Sequence, residues 1–154
     1  MSRSARLAIA LVLLAAPAGA VDLSGTWNGS YTCTGSNGEV VKVKQKESVL
    51  LIAQTDATFS ASIDGTAYNG AVLNLDADAT KKGDAVMNSC TLDAVPMNGA
   101  SGEIVHFKVK VDPDKGSGTV SGESIFESVS QQLVCKLKYK RTNTTPTKFT
   151  GCPV

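Results

Sequence analysis

Four cysteines, Cys33, Cys90, Cys135 and Cys152, are the most reactive side chains in this 154-residue chain. They could hold a metal, act as nucleophiles or form disulfides. No two are spaced as Cys-x-x-Cys, and His106 is the only histidine, so a zinc set is not expected. An even number of cysteines in an exported chain points to two disulfides, which would also consume any thiol nucleophile. His106 shares its alternation with Lys108 and Lys110, which marks it as a solvated surface group. Asp76 and Asp78 lie two apart with no calcium-loop spacing after them and read as a solvated loop. No Gly-x-Ser-x-Gly elbow is present. The chain therefore reads as non-catalytic, with no metal and no cofactor.

The N-terminus supplies the export that the cysteines presuppose. Arg3 and Arg6 precede an apolar run from Leu7 to Ala16, and Pro17-Ala18-Gly19-Ala20 follows with small residues at Ala18 and Ala20. That is the pattern of a secretory signal peptide over residues 1–20. The run is about half the ~20 residues a spanning helix needs. The expected location is periplasmic or extracellular. The chain less residues 1–20 leaves 134 residues, enough for one domain over 21–154. Without Arg3 and Arg6 the 15 basic residues fall to 13 against 14 acidic ones. That balance gives no footprint for nucleic acid and no attraction to an anionic membrane.

Beyond residue 20 the apolar pattern has period two, the signature of strands with one buried face. From Leu23 to Cys33 the odd positions read Leu, Gly, Trp, Gly, Tyr, Cys, and the even ones Ser, Thr, Asn, Ser, Thr. Glu39 to Gln54 is one long bent strand, or two broken near Glu47-Ser48. Phe59 to Ile63 and Thr66 to Leu75 flank the hairpin signal Asp64-Gly65. Lys81-Lys82-Gly83 reads as a turn, and Ala85 to Leu92, Glu103 to Val111, Gly118 to Glu127 and Leu133 to Arg141 as strands. The count is eight, or nine if the second strand splits. The fold class is all-β, an antiparallel up-and-down barrel, because closing such a meander removes its exposed edges. Outward positions of the best strands are Lys, Ser and Thr, unlike the apolar band of a membrane barrel, so no membrane insertion is expected.

Register follows from chemistry. If the first and last strands pair antiparallel with Cys33 opposite Cys135, the paired numbers sum to 168. Trp27 then faces Arg141, and Gly29 faces Tyr139 and leaves space for its ring. An Arg guanidinium stacked on an indole contributes ~0.5–2 kcal/mol. Pairing Cys33 with Cys135 leaves Cys90 for Cys152.

Gly25-Thr26-Trp27 near the start of the mature chain, with Arg141 ending the last strand, resembles the lipocalin-like or calycin pattern, here in a secreted bacterial form. In that family a Gly-x-Trp on the first strand packs under an Arg from the last and closes one end of an eight-stranded barrel. The resemblance implies the closure role for Gly25, Trp27 and Arg141. It departs from the family in its short mature chain and in showing no helix before the tail.

Two functions fit such a barrel. One is a carrier of a small apolar or amphipathic molecule, with Tyr31, Phe59, Ile63, Val105, Phe107, Phe126, Leu133 and Leu137 as lining, at the end away from Trp27. The other is a protein-binding module with a filled core, such as a periplasmic protease inhibitor, although Val21-Asp22 is a short arm for reaching an active site. Asn74–Asp84 and Ala94–Gly102 are the loops that could rim an open end; they flank one strand, so only one of them can. Intact mass of protein exported by its own host is expected to start at Val21. All four cysteines should resist alkylation until reduced; a free thiol in that native protein contradicts the two-disulfide reading.

Overall fold

A computed structural model describes residues 21–36, 40–73, 81–90, 102–128 and 132–152. Among them eight strands form one closed antiparallel barrel: β1 Gly25–Ser36, β2 Val40–Thr55, β3 Thr58–Ile63, β4 Thr66–Val72, β5 Lys82–Ser89, β6 Gly102–Asp112, β7 Ser117–Glu127 and β8 Gln132–Asn143. Each strand pairs with the next, and β1 pairs with β8. The signal-peptide region, Asp76 and Asp78, and most of both candidate rim loops lie outside the described residues.

The barrel closes in the register that the cysteines imply. Trp27 faces Arg141, Gly29 faces Tyr139 and Cys33 faces Cys135. Two disulfides are present, Cys33–Cys135 and Cys90–Cys152. A covalent loop of 102 residues, the first pair's separation, removes roughly 4–5 kcal/mol of unfolded-chain freedom in the chain-entropy account. Disulfides of this kind fit an oxidising compartment.

Strand two is single, with a step in its pairing. Gly29 faces Ser48 but Tyr31 faces Gln45, so β2 carries one extra residue at Lys46-Glu47. This bulge keeps Lys42, Lys44 and Lys46 exposed while turning Ser48, Leu50 and Ile52 inward. Tight turns join β2 to β3 at Asp56-Ala57 and β3 to β4 at Asp64-Gly65. Asp56, Asp64 and Gly65 take positive φ, 55°, 48° and 92°, as two-residue hairpins require.

Several boundaries differ from the sequence expectation: β1 starts at Gly25 rather than Leu23, and β5 ends at Ser89, so Cys90 follows the strand instead of lying in it. Strand four ends at Val72 rather than Leu75, and β5 starts at Lys82, so Lys82-Gly83 are strand rather than turn. The reason is packing: a Cβ on Gly83 would lie 2.5 Å from a methyl of Val21. Glycine in a strand often marks such a close approach rather than a break.

Val21 and Leu23 are wholly buried and plug the barrel at the Trp27 end. The indole Nε1 of Trp27 donates to the carbonyl of Leu23 at 3.0 Å, and the backbone N–H of Leu23 donates to Gln54 Oε1 at 2.7 Å. Arg141 stacks over the Trp27 ring, its guanidinium carbon 4.5 Å from the centroid, and donates to the carbonyl of Asp22. Above this plug, Phe59, Ala61, Leu50, Ala85, Met87, Val105, Phe107 and Val120 fill the middle of the barrel. Trp27→Ala removes the largest wholly buried side chain and is expected to cost ~3–5 kcal/mol. Arg141→Lys keeps the charge but loses the stacked plane, and should cost ~0.5–2 kcal/mol. Urea unfolding of each variant measures both, and a wild-type midpoint for Trp27→Ala would show that the plug is not structural.

Candidate functional site

Strand directions put the ends of β1, β3, β5 and β7 and the starts of β2, β4, β6 and β8 at the end remote from Trp27. There the filling by described side chains thins out. A cavity of about 450 Å³ remains, within the ~300–1,000 Å³ usual for small-molecule sites. β5 ends and β6 starts at this end, whereas β4 ends and β5 starts at the plugged end.

Five of the eight sequence-chosen lining residues meet at the cavity: Tyr31, Ile63, Phe126, Leu133 and Leu137. Phe59, Val105 and Phe107 do not. They lie deeper, in the packed core, where the Phe59 and Phe107 rings sit 6.1 Å apart between centroids. A Cβ on Gly70 would fall 2.3 Å from the Phe59 ring, so that glycine lets the ring lie flat against β4. The Cys33–Cys135 bridge also faces the cavity.

Polar residues complete the wall: Asp64, Tyr68, Glu103, Ser124 and Tyr139. Sequence reading passed over them because it sought apolar lining. The signal was nonetheless present: Glu103 shares its alternation with Val105 and Phe107, and Ser124 shares its own with Val120 and Phe126. Their hydrogen bonds fall into two chains. Ser48 Oγ donates to Asp64 Oδ2 at 2.8 Å, so the Tyr139 hydroxyl, 2.8 Å from Ser48 Oγ, donates to that oxygen. The other Asp64 oxygen accepts from the backbone N–H of Val49 at 2.8 Å. On the facing side, Tyr68 donates to Glu103 Oε2 at 2.5 Å, and the N–H of Glu103 donates to Ser89 Oγ at 3.0 Å. Ser124 Oγ is buried without a hydrogen-bond partner.

The remaining candidates lie elsewhere. His106 is exposed on the outer face, between Val86 and Glu123. Cys90 follows β5, and the C-terminal tail reaches it with Gly151 beside Ser60 of β3. No family model, curated protein or solved structure matches this chain. The functional reading therefore rests on the chain's own geometry.

Burial raises all three tyrosines above the ordinary tyrosine value; the Glu103 charge adds to this in all three, and the Asp64 charge in Tyr31 and Tyr139. Tyr139 is pushed up to about 12 by burial, against a lowering contribution from its bond with Ser48. Tyr68 rises furthest, through burial and then through Glu103, as both charge and hydrogen-bond partner. A phenol whose folded pKa exceeds its unfolded one contributes stability that is intact below the unfolded value and lost as pH rises through the folded one. Stability should therefore hold up to about pH 10 and fall as pH climbs toward about 12. Tyrosinate absorbance should appear late in native protein and near pH ~10 in urea. Tyr139→Phe should reduce the steepness of the alkaline fall, at a cost of ~1 kcal/mol at neutral pH for the lost hydrogen bond.

Proposed function

We propose that this chain is an exported, non-catalytic carrier, similar in plan to lipocalin-like barrels, that holds a small apolar or amphipathic molecule in the distal half of its barrel. The observation that carries the reading is the division of the interior. One half is filled and plugged by Val21, Leu23, Trp27 and Arg141, and the other keeps a cavity walled by Phe126, Leu133, Leu137 and Ile63. A protein that needed only a stable core has no use for that division, since the same strands fill the barrel fully a few residues lower. A carrier role also suits the polar groups. The cavity's two cysteines are bonded to each other, and the hydroxyls of Tyr139 and Tyr68 are tied to Ser48 and to Glu103 rather than to a base that would activate a nucleophile.

One observation favours the second reading, a protein-binding module. Ile104, Ile125 and Val134 are exposed and lie side by side across β6, β7 and β8 on the outer face. Val21 and Leu23 are spent in the plug, so these two residues do not serve as a projecting inhibitory arm.

Trp27 sits at the wrong end to report on the cavity, so Phe126→Trp supplies a reporter there. With a panel of fatty acids, alcohols, amines and sterols, a carrier is expected to shift both the emission of that variant and the wild-type melting temperature. No shift across the panel would falsify the carrier reading and leave the Ile125 row as the working surface. In that case Ile125→Lys should abolish partner binding.

A further inference from the structure

The charge of the cavity wall has one sign. Asp64 and Glu103 both line it, and no Lys, Arg or His does among the described residues. The lysines nearest in sequence, Lys42 and Lys44, flank the cavity residue Val43 but are exposed on the outer side of β2. Aromatic surface lies beside the carboxylates, from Tyr31, Tyr68, Phe126 and Tyr139. Ser124 Oγ adds a buried hydroxyl on the same wall, 1% exposed, without a partner among the described residues and able to accept or donate a hydrogen bond. The hydroxyls of Tyr68 and Ser48 already give their protons to Glu103 and Asp64, while those of Tyr31 and Thr66 also line the cavity.

Such a wall repels a carboxylate or phosphate headgroup and offers a cation what it needs, namely negative charge, hydrogen-bond acceptors and π faces. We propose that the distal cavity takes an amphipathic organic cation, a small amine or quaternary ammonium whose head faces Asp64 and Glu103 and whose apolar tail lies against Phe126, Leu133 and Leu137. This rests on the carrier reading and specifies its ligand. Burial first, and also the charge of Glu103, raises all three tyrosines, with Asp64 adding to Tyr31 and Tyr139, which fits the same picture.

The test uses the mature protein with both disulfides intact and three probes of equal chain length: decylamine, decanol and decanoate. Calorimetric titration at neutral pH should rank the amine first and decanoate last, with the amine preferred over the alcohol by about tenfold, the scale of one charge-assisted contact. Added salt should erode that preference less than it would for an exposed pair, since the site is partly enclosed. Glu103→Gln keeps an acceptor for Tyr68, and Asp64→Asn keeps one for Val49 and still tolerates positive φ. Each should reduce amine affinity several-fold and leave decanol unchanged. Equal affinity for all three probes overturns the cation inference and leaves the carrier reading standing. Binding of decanoate ahead of the amine overturns it as well. If none of the three binds, the carrier reading itself fails. Should one variant not fold, the other variant and the wild-type probe series still decide.

Discussion

One constraint governs this structure: β1 must meet β8 so that Trp27 faces Arg141 and Cys33 faces Cys135. A strand's side chains alternate between faces, so a slip of one residue would turn Trp27, Tyr31 and Cys33 to solvent together. Two unlike interactions hold the same register. At one end a guanidinium lies over an indole and reaches the Asp22 carbonyl; toward the other a covalent bond crosses the strands. With both in place the barrel closes without an exposed edge. The plug follows, because Leu23 can accept from the indole only if the ring lies across the barrel base. The cavity follows too, since Tyr31, Leu137 and Tyr139 owe their inward direction to the same register.

Much of this could be read from residue order, and the parts that could not share a cause. Alternation says whether a side chain points in or out, and it put Trp27, Arg141, Cys33 and Cys135 on the inward face, where they lie; the Cys90–Cys152 pair followed only by elimination. Alternation is silent on depth along the barrel axis. Phe59, Val105 and Phe107 point inward like Phe126 and Leu133, yet they lie at the packed level and the latter pair at the hollow one. Depth depends on strand stagger, which only the full set of pairings fixes. Glu103 and Ser124 were legible by position and passed over by type, because an inward face was equated with an apolar one. The plug was illegible for a different reason: Val21 lies before the alternating stretch, and the alternation that includes Leu23 does not show that the chain there precedes β1 and runs across the barrel end. In β2 the break near Glu47-Ser48 is a bulge, where one surplus residue restores the inward phase for Leu50 and Ile52.

The barrel also separates charge. Outward positions of β2, β6 and β8 carry Lys42, Lys44, Lys46, Lys108, Lys110, Lys136, Lys138 and Lys140. Across the closure, Lys136 faces Thr32, which faces Lys44, and on its other side Lys136 faces Glu123. These ammonium groups stand in water, where salt screens them within ~8 Å. The two carboxylates of the cavity wall stand at its open end, Asp64 exposed and Glu103 half-buried. A near-neutral chain thus sets rows of ammonium groups on its outer face and two carboxylates at its cavity, and its net charge conveys neither.

The Cys33–Cys135 bond has a consequence for traffic. Many small barrels can admit a guest by letting two neighbouring strands part briefly, like a coat opening at its seam. Here the seam where the chain's first and last strands meet is stitched beside the cavity, and the hoop of 102 residues it closes cannot be unbuttoned by thermal motion. Any parting of the wall is therefore confined to the seven seams that carry no such stitch, and only reduction would free the eighth.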